Sequence, residues 1–173
     1  FGYSYSGTDN YPSEERFGFF PSVSAAWILS NESFLSGNQQ ITFLKLRAST
    51  GIVGSDRIGG LDRFMFQQWY GSPSGAYRLG NELSDNHGTF EPLGLANKDA
   101  TWETAHKTNI GIDALLFGKL SLSADYFFEN RENIFVNPEN NLSVLIGGRY
   151  NYLNLGEAKN SGFEANLLYS DQA

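Results

Sequence analysis

The sequence of 173 residues contains no cysteine, only two histidines, and no run of about 18 apolar residues. Without cysteine there are no disulfides, thiolate metal sites or cysteine nucleophiles. Without a long apolar run there is no transmembrane helix, although a membrane β-barrel stays open because its strands leave a much weaker hydropathy signal. Basic residues are scarce: 12 Lys and Arg stand against 19 Asp and Glu, a net charge of −7. An acidic chain of this kind repels a phosphate backbone, so nucleic acid is not an expected partner. His87 and His106 lack a second ligand at helical or hairpin spacing, and no metal site is assigned to them. The cluster Asn81, Glu82, Asp85 and Asn86 lacks the glycine-hinged spacing of a calcium loop. Nucleophile elbows, phosphate loops and paired helical histidines are all missing, so no catalytic residue, cofactor or enzymatic activity is expected. The chain opens on Phe1 without methionine, a basic stretch or a cleavage site. No signal peptide is therefore expected, and the chain reads as a piece of something longer.

What is abundant is aromatic and glycine residues, with 14 Phe, 9 Tyr and 19 Gly. They are arranged with a period of two. Leu120, Leu122, Ala124, Tyr126 and Phe128 alternate with Ser121, Ser123, Asp125, Phe127 and Glu129. Such alternation predicts a strand with one apolar and one mostly polar face. The same pattern recurs in Val23, Ala25, Trp27 and Leu29, although Ile28 spoils the end, in Leu44, Leu46 and Ala48, and in Ile110, Ile112 and Ala114. A further copy runs through Phe163, Ala165, Leu167 and Tyr169. Strands of about 9–11 residues with one lipid-facing and one lumen-facing side build transmembrane barrels. The register would turn Lys45, Arg47, Asp113, Asp125, Glu129 and Glu164 inward, where opposite charges on adjacent strands can pair.

Connections of two lengths support a barrel. Leu115 to Lys119 leaves room only for a tight turn, and Ser30 to Phe43 is a moderate link. Residues 52–101, by contrast, form a long stretch without sustained periodicity, and Asn137 to Asn151 is a second excursion rich in glycine and asparagine. Long structureless loops are uncommon in compact soluble domains, whereas outer-membrane barrels pair short periplasmic turns with long extracellular loops. The expected fold is all-β: an antiparallel meander of about five or six strands, forming a section of a large transmembrane β-barrel wall. A soluble carbohydrate-binding β-sandwich is the alternative, since it would use the same alternation and the same loop aromatics.

Several runs are familiar as words. They are Arg16 through Trp27 with Ser30 to Leu35, then Leu44 to Gly51 followed by Gly54. Next come Trp102-Glu103, Asn109 to Asp113, Leu120 to Phe127, and Asn160 to Glu164. In this order they resemble the barrel of SusC/RagA-like TonB-dependent outer-membrane receptors. The resemblance covers about residues 16–51 and 102–169, where the strands are expected, and leaves the long loop 52–101 unmatched. It implies a barrel of about 22 strands in the bacterial outer membrane, plugged by an N-terminal domain that this chain does not contain. It also implies import of glycans or peptides driven through TonB, outer-membrane lipid around the wall, and a SusD-like surface lipoprotein as partner. The end at Ser170 to Ala173 lacks the aromatic expected of a last barrel strand, so an internal fragment of the wall is expected.

The long loop supplies the candidate site. Trp69, Tyr70 and Tyr77 offer rings, and Asp62 and Arg63 offer planar hydrogen-bonding groups. Sugars present apolar faces for stacking and hydroxyls for such groups, so these five residues are the predicted ligand contacts. The competing reading is that Phe64, Met65, Phe66, Trp69 and Tyr70 pack a small core of the loop itself.

Overall fold

The computed structural model describes residues 1–57, 63–72, 76–79, 85–88, 90–138 and 151–171. Six strands form one antiparallel sheet: β1 (Gly2–Gly7), β2 (Phe17–Ile28), β3 (Ile41–Ser55), β8 (Glu103–Leu116), β9 (Leu120–Val136) and β10 (Leu153–Tyr169). They follow one another in space in that order, so the sheet is a meander. The excursion between β3 and β8 carries two small ribbons. One pairs β4 (Tyr70–Gly71) with β7 (Glu91–Pro92), the other β5 (Ala76–Leu79) with β6 (Asp85–Gly88). Among the described residues no second large sheet packs on the first, as it would in a sandwich.

The alternation expected from the sequence sets the faces. Pairing of β3 through β10 places Arg47, Gly111, Asp125 and Glu164 in one row on the inward face. The next row, Leu46, Ile112, Ala124 and Ala165, lies on the outward face. Ile110, Tyr126, Phe163 and Leu167 stand exposed on that outward face. Large apolar side chains exposed in such numbers mark a surface covered by something other than water. The outward row of β2 runs from Phe17 to Trp27, both exposed. Ten steps of about 3.3 Å, tilted as in barrels, rise about 25 Å, the height of a barrel's apolar band.

The connections separate by end. At one end β8 meets β9 through Phe117, Gly118 and Lys119; Phe117 and Gly118 both have positive φ, as the central residues of a type I′ turn do, and the Lys119 N–H donates to Leu116 O at 3.0 Å. Gly118 suits this backbone, while Phe117 adopts it with its ring exposed. The turn is tied sideways: the Phe117 N–H donates to Gln40 O at 2.8 Å and the Gly118 N–H to Thr42 Oγ1 at 2.9 Å. A 3-10 turn at Leu29–Asn31 begins the link from β2 to β3 at the same end. Trp27 is anchored there by its indole N–H donating to Glu32 Oε1 at 2.9 Å. All the long connections lie at the opposite end.

Three features depart from the sequence-based expectation. β1 precedes the expected range and pairs with β2 from Gly2↔Ser22 to Gly7↔Phe17. β3 continues to Ser55, and four short strands lie within what the sequence presents as one irregular loop. β9 and β10 each run 17 residues, well beyond one membrane crossing, with bulges beside Gly156 in their distal halves. There both faces are polar, as at Asn130 to Asn133, so no alternation marks the strand.

A single sheet has little interior of its own. The buried cluster lies instead at the long-loop end, where Tyr11, Phe20, Ala100 and Trp102 pack together with Ile52, Phe66 and Phe135. The Phe20 ring lies directly over Gly18 and Gly54, and a Cβ at either glycine would overlap it. On the inward face, Arg47 reaches across β8 to two strands at once. Its Nε lies 3.1 Å from Asp113 Oδ2 and its Nη2 2.6 Å from Asp125 Oδ2, while the Ser123 hydroxyl donates to Asp113 Oδ1 at 2.8 Å. Gly111 makes room for that span, since a Cβ there would stand 2.6 Å from the guanidinium carbon. Glu129 pairs with Lys107 at 3.7 Å and also with Arg131. Lys45 lies opposite Asp113 in the register, and Glu164 opposite Asp125.

Candidate ligand-binding recess

The long excursion is folded at its base by side-chain amides. Gln68 clasps the facing segment: its Nε2 donates to Gly94 O at 2.6 Å, and its Oε1 accepts from the Ala96 N–H at 3.1 Å. The Leu93 N–H donates to Trp69 O at 3.0 Å, extending the β4–β7 ribbon. Asn97 is buried and donates to Tyr152 O at 3.0 Å and Asn154 Oδ1 at 3.3 Å. Asn154 in turn donates to Thr101 O at 3.0 Å and Asn133 O at 2.8 Å, and accepts from the Thr101 N–H at 3.2 Å. Trp102 donates its indole N–H to Glu15 O at 3.0 Å. Buried Tyr11 points its hydroxyl at Ser55 O, 3.5 Å away. Burial, and then the carboxylates of Asp56 and Glu103, push its phenol above its ordinary value, so it stays neutral.

Asn154 closes the most partners, so its loss should have the largest local effect. In Asn154→Ala, the Thr101 N–H and the carbonyls of Thr101 and Asn133 lose their partner; each unsatisfied buried group costs about 1–3 kcal/mol. The expected outcome is faster proteolysis within residues 90–102 while the six-stranded wall stays resistant. Unchanged cleavage would show that the clasp does not hold the loop.

On this base sits a recess of about 280 Å³ lined by Arg63, Met65, Trp69, Leu93, Gly94 and Asn151. Met65 is buried, whereas Trp69 is 52% and Tyr70 62% exposed. The competing readings of the loop aromatics thus divide by residue: Met65 and Phe66 pack inward, and Trp69 and Tyr70 stand out. Arg63 donates from Nε to Asn10 Oδ1 at 3.1 Å, and its guanidinium lies 5.0 Å from the Phe64 ring centre. Asn151 donates its backbone N–H to Leu95 O at 3.3 Å, and its side chain lies over Gly94.

Of the five residues singled out in the sequence, Arg63 and Trp69 line the recess and Tyr70 adjoins it in β4. Tyr77 is in β5, its backbone opposite His87; its side chain and all of Asp62 lie outside the described residues. Asn151 and Gly94 were not singled out, and no local motif marks them, because they meet the loop only through the fold. Among the described residues no group of three or more His, Asp or Glu could hold a metal ion. A wider concavity of about 1120 Å³ runs along the inward face past Ser22, Ser49, Lys107, Asn109 and Glu129.

Comparison with known proteins places this architecture. The family model described as TonB dependent receptor-like, beta-barrel matches residues 1–171. TonB-dependent receptor P3 of Formosa agariphila is 30% identical over 164 residues, covering 93% of this chain and 15% of that protein. TonB-dependent receptor SusC of Bacteroides thetaiotaomicron is 26% identical over 169 residues, covering 94% and 16%. The chain thus spans about a sixth of the length of these relatives. Among solved structures, the RagAB peptide importer in its closed-closed state superposes with a TM-score of 0.74 at 20% identity, covering 98% of this chain and 18% of that one. The open-open state gives 0.72 at 21% identity, covering 94% and 17%. The six-stranded meander is a section of barrel wall, and the chain belongs to the TonB-dependent receptor-like β-barrel family.

Proposed function

We propose that this chain is one section of the barrel domain of an outer-membrane receptor that imports glycans or other oligomeric nutrients. TonB supplies the energy through a plug outside this chain, and a SusD-like surface lipoprotein covers the outer mouth. The long-loop end faces outward from the cell, and Trp69, Tyr70, Tyr77, Asp62 and Arg63 contact the ligand there. The observation that carries this reading is the two-sided wall: an uncharged outward band against an inward face rich in charge and hydroxyls. Loops on rigid scaffolds carry recognition disproportionately, and the recess lies at the loop end. The likeness to SusC and to the RagAB peptide importer supports transport as the class of activity.

Orientation is checked with epitope tags inserted after Gly118 and after Gly71 in the intact receptor. Antibody on whole cells should label the Gly71 insertion and not the Gly118 insertion; the reverse pattern would contradict the outward assignment. Function is checked by comparing accumulation of labelled oligosaccharide and oligopeptide pools in wild-type, receptor-deleted and TonB-depleted cells. Loss of one pool in both altered strains is expected. Equal accumulation of both pools in all three would rule out import.

A further inference from the structure

We infer that the recess beside Trp69 is a subsite for a single carboxylate-bearing sugar ring, a uronate, of an incoming chain; this deepens the uptake reading and rests on it. Four observations converge. The indole of Trp69 is held at the recess yet is 52% exposed, as a stacking platform must be. The Arg63 guanidinium donates from Nε to Asn10, lies over the Phe64 ring, and makes no ion pair among the described residues. Its two terminal amino groups make no hydrogen bond among the described residues, and they form a planar fork that fits a carboxylate in bidentate fashion. A cation with no ion-pair partner among the described residues, at the mouth of a recess in a chain of net charge −7, favours an anionic guest.

The third observation is Asn151. Its side-chain amide makes no hydrogen bond among the described residues, although it lines the recess. An amide offers donors and an acceptor together, which suits adjacent sugar hydroxyls. The fourth is Gly94, over which this amide lies. A Cβ at Gly94 would stand 2.5 Å from Asn151 Oδ1 and 3.2 Å from its Cγ, so Gly94 acts as a positioning residue. Met65 and Leu93 give the recess an apolar floor, suited to the C–H face of a ring. The Gln68 clasp fixes both flanking segments before any ligand arrives, which lowers the ordering cost of binding. A volume of about 280 Å³ lies at the small end of ligand pockets, room for one ring with the rest of the chain outside. An acidic peptide side chain could meet Arg63 but would leave both the Trp69 ring and the Asn151 amide unused.

The test uses the full-length receptor in detergent and three probes: a short oligouronate, the same chain with its carboxyls reduced to alcohols, and a glutamate-rich peptide. The wild type should bind the oligouronate about tenfold more tightly than the reduced chain. Arg63→Gln should erase that preference, and Arg63→Lys should retain part of it. Trp69→Ala and Gly94→Ala should weaken both sugar chains by about tenfold, with limited proteolysis unchanged. Equal affinity for the two sugar chains in the wild type would overturn the proposal. So would indifference of binding to Arg63→Gln, or cleavage of the loop in Trp69→Ala and Gly94→Ala that accounts for their loss. Preferential binding of the peptide through these residues would assign the recess to peptides and equally overturn it. Failure of the uptake reading is distinguishable, because it appears as unaltered accumulation in receptor-deleted cells whatever the purified receptor binds.

Discussion

Ile110→Arg should destabilise the assembled barrel by about 2–4 kcal/mol, while Ser49→Arg on the adjoining strand should be tolerated. Ile110 is 57% exposed on the outward face, between Ala48 and Tyr126 in the register, midway along the apolar band. A guanidinium there is too far from either interface to extend readily into water. Ser49 pairs with Asn109 on the opposite, inward face and lines the open concavity, where an added cation stays hydrated beside Glu129. Heat-modifiable gel migration of the full receptor reads both variants. The Ile110 variant should lose its folded band at a lower temperature, and the Ser49 variant should match the wild type. Equal loss in both would refute the assignment of faces.

A second large effect is expected at the Arg47 bridge. Arg47→Ala leaves Asp113 and Asp125 without their shared cation, and hydrogen bonds to charged groups contribute about 1.5–3 kcal/mol. Gly111→Ala should approach the same loss without touching any charge, because its Cβ would stand 2.7 Å from Asp125 Oδ1. Arg47→Lys should fall between, since a point charge cannot hold two carboxylates on different strands in the same fork geometry. Thermal denaturation midpoints of the receptor should rank wild type, then Arg47→Lys, then the Gly111→Ala and Arg47→Ala pair. A Gly111→Ala variant as stable as the wild type would show that the bridge can shift aside, and that the glycine is not needed for it.

The wall was legible wherever the membrane imposes a two-sided environment. Leu120 to Phe128 and Leu44 to Ala48 alternate sharply because one face meets lipid and the other meets a polar lumen. Past Phe128 that contrast ends. Asn130, Arg131 and Glu132 stand beyond the apolar band, both faces are polar, and the strand continues to Val136 without a period to reveal it. β1 does alternate, with Tyr3 and Tyr5 against Ser4 and Ser6, but six residues are too few to stand out. At the site, the residue types at Arg63 and Trp69 suggested recognition before any geometry was known. What could not be read was which aromatics face outward, because the Gln68 clasp on Gly94 and Ala96 decides that across some 26 residues of sequence. Asn151 was equally hidden, since it reaches the recess from the far side of β9.

The most direct measurement is site-directed spin labelling, one position at a time, from Leu120 to Phe128 in the full receptor reconstituted in lipid. The chain has no cysteine, so it adds no background of its own. Collisions with dissolved oxygen, which concentrates in the bilayer, should be high at 120, 122, 124, 126 and 128 and low at the positions between. Oxygen accessibility that peaks instead at 121, 123, 125 and 127, or that shows no period of two, would contradict a barrel wall with lipid on its apolar face.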